Sequence, residues 1–317
     1  SACLVIANAM SVKVFGTIEY WFSSIKVIAI MAFILLGSYL LTSAPATRDI
    51  GFHHYVSHGG FFPKGGWGMW LAVVVALFSY LSIEMIAVAA GEAENPEQAI
   101  TGAFRSALLR LVIFYMLTLA LVLAIVPWTR AGQDKSPFVT TMEALQIPGA
   151  AGVINFVILI AALSAMNSQL YAATRMMFGL ARGGFAPAGL GQLNRQGVPM
   201  RALILSCVGI AIATLLSVIY PSNAFMLMMA ISMFGGMFTW LMIFVTHYFF
   251  RRSRNRAGKD RLAFQMWGFP WITLLGAGLM LALMITTAFT QEFAMTLATG
   301  IPFLIVLRIF YFVRYRK

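Results

Sequence analysis

Eight stretches of this chain each stay apolar for about the 20 residues a helix needs to cross a bilayer. They are residues 18–41, 68–90, 104–127, 151–180, 202–220, 225–250, 269–289 and 293–313. No other feature narrows the fold so far. Lipid offers the backbone no hydrogen-bonding partner, so such runs must form helices that satisfy their own N–H and C=O groups. Composition agrees: 10% of residues are charged and 61% hydrophobic, against about 25% charged in a soluble domain. The expected fold is an all-α polytopic membrane protein with about eight transmembrane helices, forming one transmembrane unit over residues 1–317. Pro45, Pro63, Pro96, Pro127, Pro187, Pro199 and Pro221 fall at or just beyond span ends, where a missing N–H costs least. The opening run SACLVIANAMSVKV is too short to span and reads as the tail of a further helix.

The net charge of +12 reports topology rather than nucleic-acid binding. Seventeen of the 22 Lys and Arg lie in loops or ends on one side, among them Lys13, Arg105, Arg182, Arg251–Arg261 and Arg314–Lys317. The other side carries Arg48, Lys64, Arg130 and Lys135, and Lys26 lies inside a span. The excess marks the cytoplasmic face. Both chain ends, including the C-terminus, are therefore expected in the cytoplasm and His53–His58 outside it. Trp21, Trp67, Trp70, Trp128, Trp267 and Trp271 near span ends fit an aromatic belt. No aromatic–basic surface stretch accompanies the charges, so no nucleic-acid partner is expected.

Two charges interrupt the apolar runs. An ionised side chain at mid-bilayer costs roughly 2.5–3.5 kcal/mol, so it faces a cavity, a partner or the interface. Lys26 reads either as an anchor whose stem snorkels to the headgroups or as an amine whose proton can move. Glu84 closes the segment Phe78-Ser79-Tyr80-Leu81-Ser82-Ile83-Glu84, which is polar where a lipid-facing helix is not. That segment reads as a helix broken at mid-membrane, or as a continuous helix with Glu84 at the interface. Ser164, Asn167 or Ser168, Tyr171 and Arg175 recur in steps of three and four. This stripe is interhelical glue or the wall of a cavity. The carboxylates of the Gly91–Glu97 loop are a solvated turn or ion-pair with a neighbouring loop. His53, His54 and His58 cluster, but no carboxylate or Cys is seen to frame them, and Cys3 and Cys207 lack ligand spacing. No metal site is expected. No Gly-rich phosphate loop, HExxH, GxSxG or paired catalytic carboxylates are present, so neither an enzyme nor a cofactor is expected.

These residues also carry a resemblance. The run FSYLSIEMIAVAAGEAENPEQAI (78–100) resembles the sixth-helix signature of amino acid permeases of the amino acid–polyamine–organocation superfamily. NFVILIAALSAMNSQLYAATRMMFGLARGGFAPAGLGQLNRQGVP (155–199) resembles the eighth helix and following loop of its bacterial amino acid transporter branch. VKVFGTIEYWFSSIKVIAI (12–30) resembles the start of that branch's fifth helix. The resemblance implies a LeuT-type fold, two inverted five-helix repeats plus two helices, N-terminally truncated so that the eight spans match helices five to twelve.

It further implies that Phe78 is an aromatic gate, that Ser79, Tyr80, Ser82 and Ile83 line a broken substrate-binding helix, and that Glu84 is an inner-gate carboxylate. Ser82 stands where relatives often carry Gly. Ser164, Asn167 and Ser168 match the eighth-helix wall. Lys26 matches a Lys that stands in for a sodium ion in proton-coupled relatives. The implied function is secondary active transport of an amino acid across the bacterial cytoplasmic membrane, by proton symport and alternating access. An amino acid sensor or binding scaffold on the same fold is the alternative. The partners implied are an amino acid, a proton and the lipid bilayer; the oligomeric state is left open.

Overall fold

The computed structural model describes residues 2–10, 12–43, 49–90, 95–131, 136–144, 149–258, 265–290 and 293–315. Among the described residues there are helices and turns but no strand. The α-helices are α1 (Ala2–Met10), α2 (Val12–Ser43), α3 (Gly65–Tyr80), α4 (Met85–Ala90), α5 (Pro96–Ile125) and α6 (Pro137–Ala144). They continue with α7 (Ala150–Arg182), α8 (Met200–Ile219), α9 (Ala224–Arg256), α10 (Trp271–Thr287) and α11 (Ala294–Tyr315).

Each of the eight apolar runs is built on helix, the run 68–90 being interrupted by turns at residues 81–84. Among the described residues, seven stretches are long and apolar enough to cross a membrane, and Trp271–Thr287 is a shorter apolar helix of 17 residues, a rise of about 25 Å. Large apolar side chains such as Leu35, Ile212, Val218 and Phe303 are exposed along these helices. An apolar surface on this scale suits lipid and not water. The chain is a multi-pass membrane protein.

Helix α6 and the 3-10 turns Phe52–Tyr55 and Ala188–Gly191 were not anticipated, because elements of four to eight residues leave no periodic signal to read. Gly91–Glu94, Arg48, Lys135 and Lys259–Arg261 lie outside the described residues.

By its internal contacts the chain divides into two compact units. One comprises Ser1–Gly68 and Glu84–Gly209, the other Met69–Ile83 and Ile210–Lys317. In the first, α2 packs along α5 and α7, and α1 touches both α2 and α7. Phe33, Leu121, Val122 and Met142 form one buried cluster, and Leu40, Ile125 and Val126 another. After α7 the chain folds back, and the Ala188–Gly191 turn packs on that helix. Asn194 Oδ1 accepts the backbone N–H groups of Gln196 and Val198 at 2.9 and 2.8 Å, closing the turn ahead of Pro199.

In the second unit α9 packs against both α10 and α11. Val74, Met233, Phe234, Met237, Met280, Leu283, Met284 and Phe293 make its core, and methionine suits such irregular gaps between helices. A Cβ added at Gly300 would collide with the Phe234 ring, and one at Gly276 with the Phe244 ring. With no hydrophobic drive between helices in lipid, close approach through small residues supplies the packing energy.

Candidate functional site

Helix α2 carries Phe15, Glu19, Ser23 and Lys26 at steps of three and four, and so on one face. Helix α7 carries Ser164, Asn167, Tyr171 and Arg175 the same way. The two faces meet antiparallel. Phe15 stacks on Tyr171, with ring centres 4.2 Å apart. The Arg175 guanidinium lies 5.3 Å from the centre of the Tyr171 ring.

Deeper in, Lys26 Nζ donates to Ser164 Oγ at 2.7 Å, and the Ser164 hydroxyl donates in turn to Glu19 Oε1. Asn167 Nδ2 donates to Glu19 Oε2 at 3.2 Å. Asn8 Nδ2 on α1 donates to Asn167 Oδ1 at 2.8 Å and to Leu4 O at 2.9 Å. Lys26 Nζ and Glu19 Oε1 are 3.6 Å apart.

The donors therefore converge on one carboxylate from both sides. Ser164 and Asn167 are fully buried, whereas the side chains of Lys26 and Glu19 keep 29% and 20% of their surface open. The neutral groups are thus sealed in the packing, while the ionisable ones stay partly exposed. An apolar cavity of about 210 Å³ adjoins Lys26, lined by Phe33, Phe138, Ile154, Ile158 and Ala161 among others. Its walls lower the local dielectric and strengthen the field between the two charges. Phe138, on α6, meets Phe33 edge-on with ring centres 5.0 Å apart. The Ser164 hydroxyl bridges the Lys26 amine and the Glu19 carboxylate.

The second feature is the break between α3 and α4. The helix stops at Tyr80 and resumes at Met85, with turns over residues 81–84. Ser82 has φ +78°, a left-handed conformation that costs a residue with a Cβ roughly 1–2 kcal/mol. Three-residue bonds replace the helical ladder, from Leu81 N to Phe78 O at 3.3 Å and from Ile83 N to Tyr80 O at 3.4 Å. Beyond the break, Ala87 N donates to Glu84 O at 3.0 Å. Within the second unit Leu81 lies against Gly236, where an added Cβ would strike its side chain.

Of the residues singled out in the sequence, Lys26, Ser164 and Asn167 thus meet in one network. Ser168 is half-buried, one position past Asn167. Phe78, Ser79, Tyr80, Ser82 and Ile83 belong to the second unit, and Glu84 begins the return to the first. Sequence reasoning missed Glu19 and Asn8. Glu19 lies seven residues before Lys26, two helical turns, and that spacing was the available signal.

A helical membrane protein with a broken crossing and a charged pair held between two other crossings belongs among the polytopic transport-type folds. A family model described as amino acid permease matches residues 1–317. The chain is 35% identical over 316 residues to the gamma-aminobutyric acid permease of Bacillus subtilis (strain 168), covering 99% of this chain and 67% of that one. It is 40% identical over 261 residues to the aromatic amino acid transport protein AroP of Salmonella typhimurium, covering 81% and 57%. To AroP of Escherichia coli (strain K12) it is 37% identical over 283 residues, covering 88% and 62%. The chain belongs to the amino acid permease family, and it spans 57–67% of the length of these relatives.

Proposed function

We propose that this chain is part of a proton-coupled amino acid symporter of the bacterial cytoplasmic membrane, working by alternating access. The observation that carries the coupling is the hydrogen-bonded chain from Lys26 through Ser164 to the accepting carboxylate of Glu19. Protonated Lys26 neutralises Glu19 and ties α2 to α7. When the amine gives up its proton, the carboxylate loses its counter-charge and the tie between the helices weakens. A proton can shift inward-facing against outward-facing states only through different affinities for the two, and this pair supplies such a difference.

The broken crossing contributes the substrate site in this reading. Turn residues Ser79, Tyr80, Ser82 and Ile83 offer hydroxyls and backbone groups freed from the ladder to an amino acid's charged ends. Phe78 and Glu84 act as gates in this reading. In this reading Arg251–Arg261 and the C-terminus face the cytoplasm, which the excess of Lys and Arg on their side supports.

Uptake of radiolabelled amino acids into proteoliposomes tests the proposal. Accumulation against a gradient when the lumen is made alkaline supports it. Saturable binding without flux would instead establish a sensor or binding scaffold.

A further inference from the structure

We propose that Asp49, His53 and His54 form a binding site for a divalent transition-metal ion of the zinc type, on the loop between α2 and α3. One ring nitrogen of each histidine and one carboxylate oxygen of Asp49 lie within 4.8 Å of one another. His53 Nε2 is 2.8 Å from Asp49 Oδ1, and His54 Nε2 is 3.8 Å from that same oxygen. Ligand atoms about 2.0–2.2 Å from a tetrahedral zinc ion are separated by ~3.3 Å, so the His53 Nε2–Asp49 Oδ1 pair, 2.8 Å apart, needs to open by only about half an ångström to share an ion. Two imidazoles and a carboxylate are a donor set that zinc accepts, leaving a fourth position for water.

A second observation points to a ligand. His54 is 3% exposed, and its Nε2 lies 2.8 Å from the backbone oxygen of Asp49. A carbonyl only accepts, so in the neutral ring that nitrogen carries the proton and Nδ1 carries the bare lone pair. His54 Nδ1 is buried without a hydrogen-bond partner among the described residues. A histidine whose N–H is held by a carbonyl, with its other nitrogen free, is set up as metal-binding histidines are.

The surrounding loop is already pinned. Gly51 N donates to Ala124 O at 2.8 Å and Tyr55 Oη to Ala120 O at 2.6 Å, both on α5. The 3-10 turn Phe52–Tyr55 brings the two rings to 4.3 Å between centres. His58 is engaged elsewhere, its Nδ1 2.9 Å from Ser57 Oγ. An ion here would cross-link Asp49 to the turn and so to α5.

The test uses the full chain in detergent, purified without a histidine tag, with Zn²⁺ as titrant and Co²⁺ as its coloured stand-in. Calorimetry is expected to show one saturable zinc equivalent, and melting temperature to rise with zinc. Asp49 and His53 are 77% and 53% exposed, so Asp49→Asn and His53→Gln are chosen because they leave the fold intact. Each is expected to weaken zinc binding by at least about tenfold and to abolish the melting shift, while His58→Gln keeps both. Absence of saturable binding at millimolar zinc overturns the site. So does unchanged affinity in Asp49→Asn and His53→Gln, or a loss in His58→Gln as large as theirs.

Discussion

Lys26 Nζ donates to Ser164 Oγ at 2.7 Å, joining two membrane helices across 138 residues of chain. A snorkelling lysine would direct its amine to the headgroups; this one directs it to a buried hydroxyl that is itself bonded to a carboxylate. In proteoliposomes containing the whole transporter, Lys26→Ala is expected to abolish accumulation driven by a pH gradient while keeping substrate binding. Lys26→Arg is expected to fail too, because a guanidinium does not release its proton. Accumulation with wild-type pH dependence in the Arg variant, at matched membrane abundance, rejects the coupling role.

Glu19 accepts bonds from Ser164 and Asn167 and faces Lys26. Glu19→Gln keeps the shape and removes the counter-charge. It should lower stability by about 1.5–3 kcal/mol, the range for hydrogen bonds to a charged group. Lys26→Met in the same chain should recover part of that loss, since no unpaired charge remains. Thermal unfolding of the two single variants and the double variant measures the coupling. Additivity within about 0.5 kcal/mol would mean that the two charges do not act as a pair.

Ser82 holds φ +78° at the break between α3 and α4. Glycine adopts that conformation without the Cβ penalty, so Ser82→Gly is expected to raise stability by about 1 kcal/mol. Ser82→Val should lower it, because a β-branched residue is least tolerant of positive φ. Melting temperatures of the two variants decide the matter. A stabilised Val variant would show that the chain does not turn there.

The glycines of the second unit divide by what surrounds them. Gly300 faces the Phe234 ring with no room for a methyl, whereas Gly278 has nothing within 4 Å of an added Cβ. Gly300→Ala should cost about 1–3 kcal/mol through overpacking. Gly278→Ala should be neutral or slightly stabilising, given alanine's higher helix propensity. Equal melting temperatures for the two variants would contradict the close packing of α11 on α9.

The hydrogen bond from His53, with a smaller contribution from the neighbouring histidine charges, holds the Asp49 carboxyl below its ordinary value of 3.8. Its folded pKa is thus lower than its unfolded one. The stability it contributes is present above about pH 4 and is lost as pH falls through the folded value. The melting-temperature difference between wild type and Asp49→Asn, measured without metal, should therefore shrink as pH drops from about 5 to 3. A difference that grows over that interval has the wrong sign for this pairing.

The apolar helices, seven of them long enough to cross a membrane among the described residues, were legible as runs of apolar residues, because a bilayer admits only segments that bond their own backbone. The break was legible too, as hydroxyls and a carboxylate crowded into seven residues of an apolar span, and Ser82 takes the positive φ there. Lys26, Ser164 and Asn167 stood out as polar groups in need of partners. Their partners did not stand out. Glu19 near a span end reads as readily as an interfacial residue, and Asn8 lies in an apolar run too short to interpret. His53, His54 and His58 stood out as a cluster, but the carboxylate that frames two of them, Asp49, four residues before His53, was missed until the 3-10 turn showed both rings beside it. Hydropathy and periodicity describe one helix at a time, since they arise from how each segment meets its solvent. Which faces meet is decided by side chains packing between segments more than a hundred residues apart, as α2 does against α7. That choice, made by close contact and by the need to neutralise a charge in lipid, brings Lys26, Ser164 and Glu19 together.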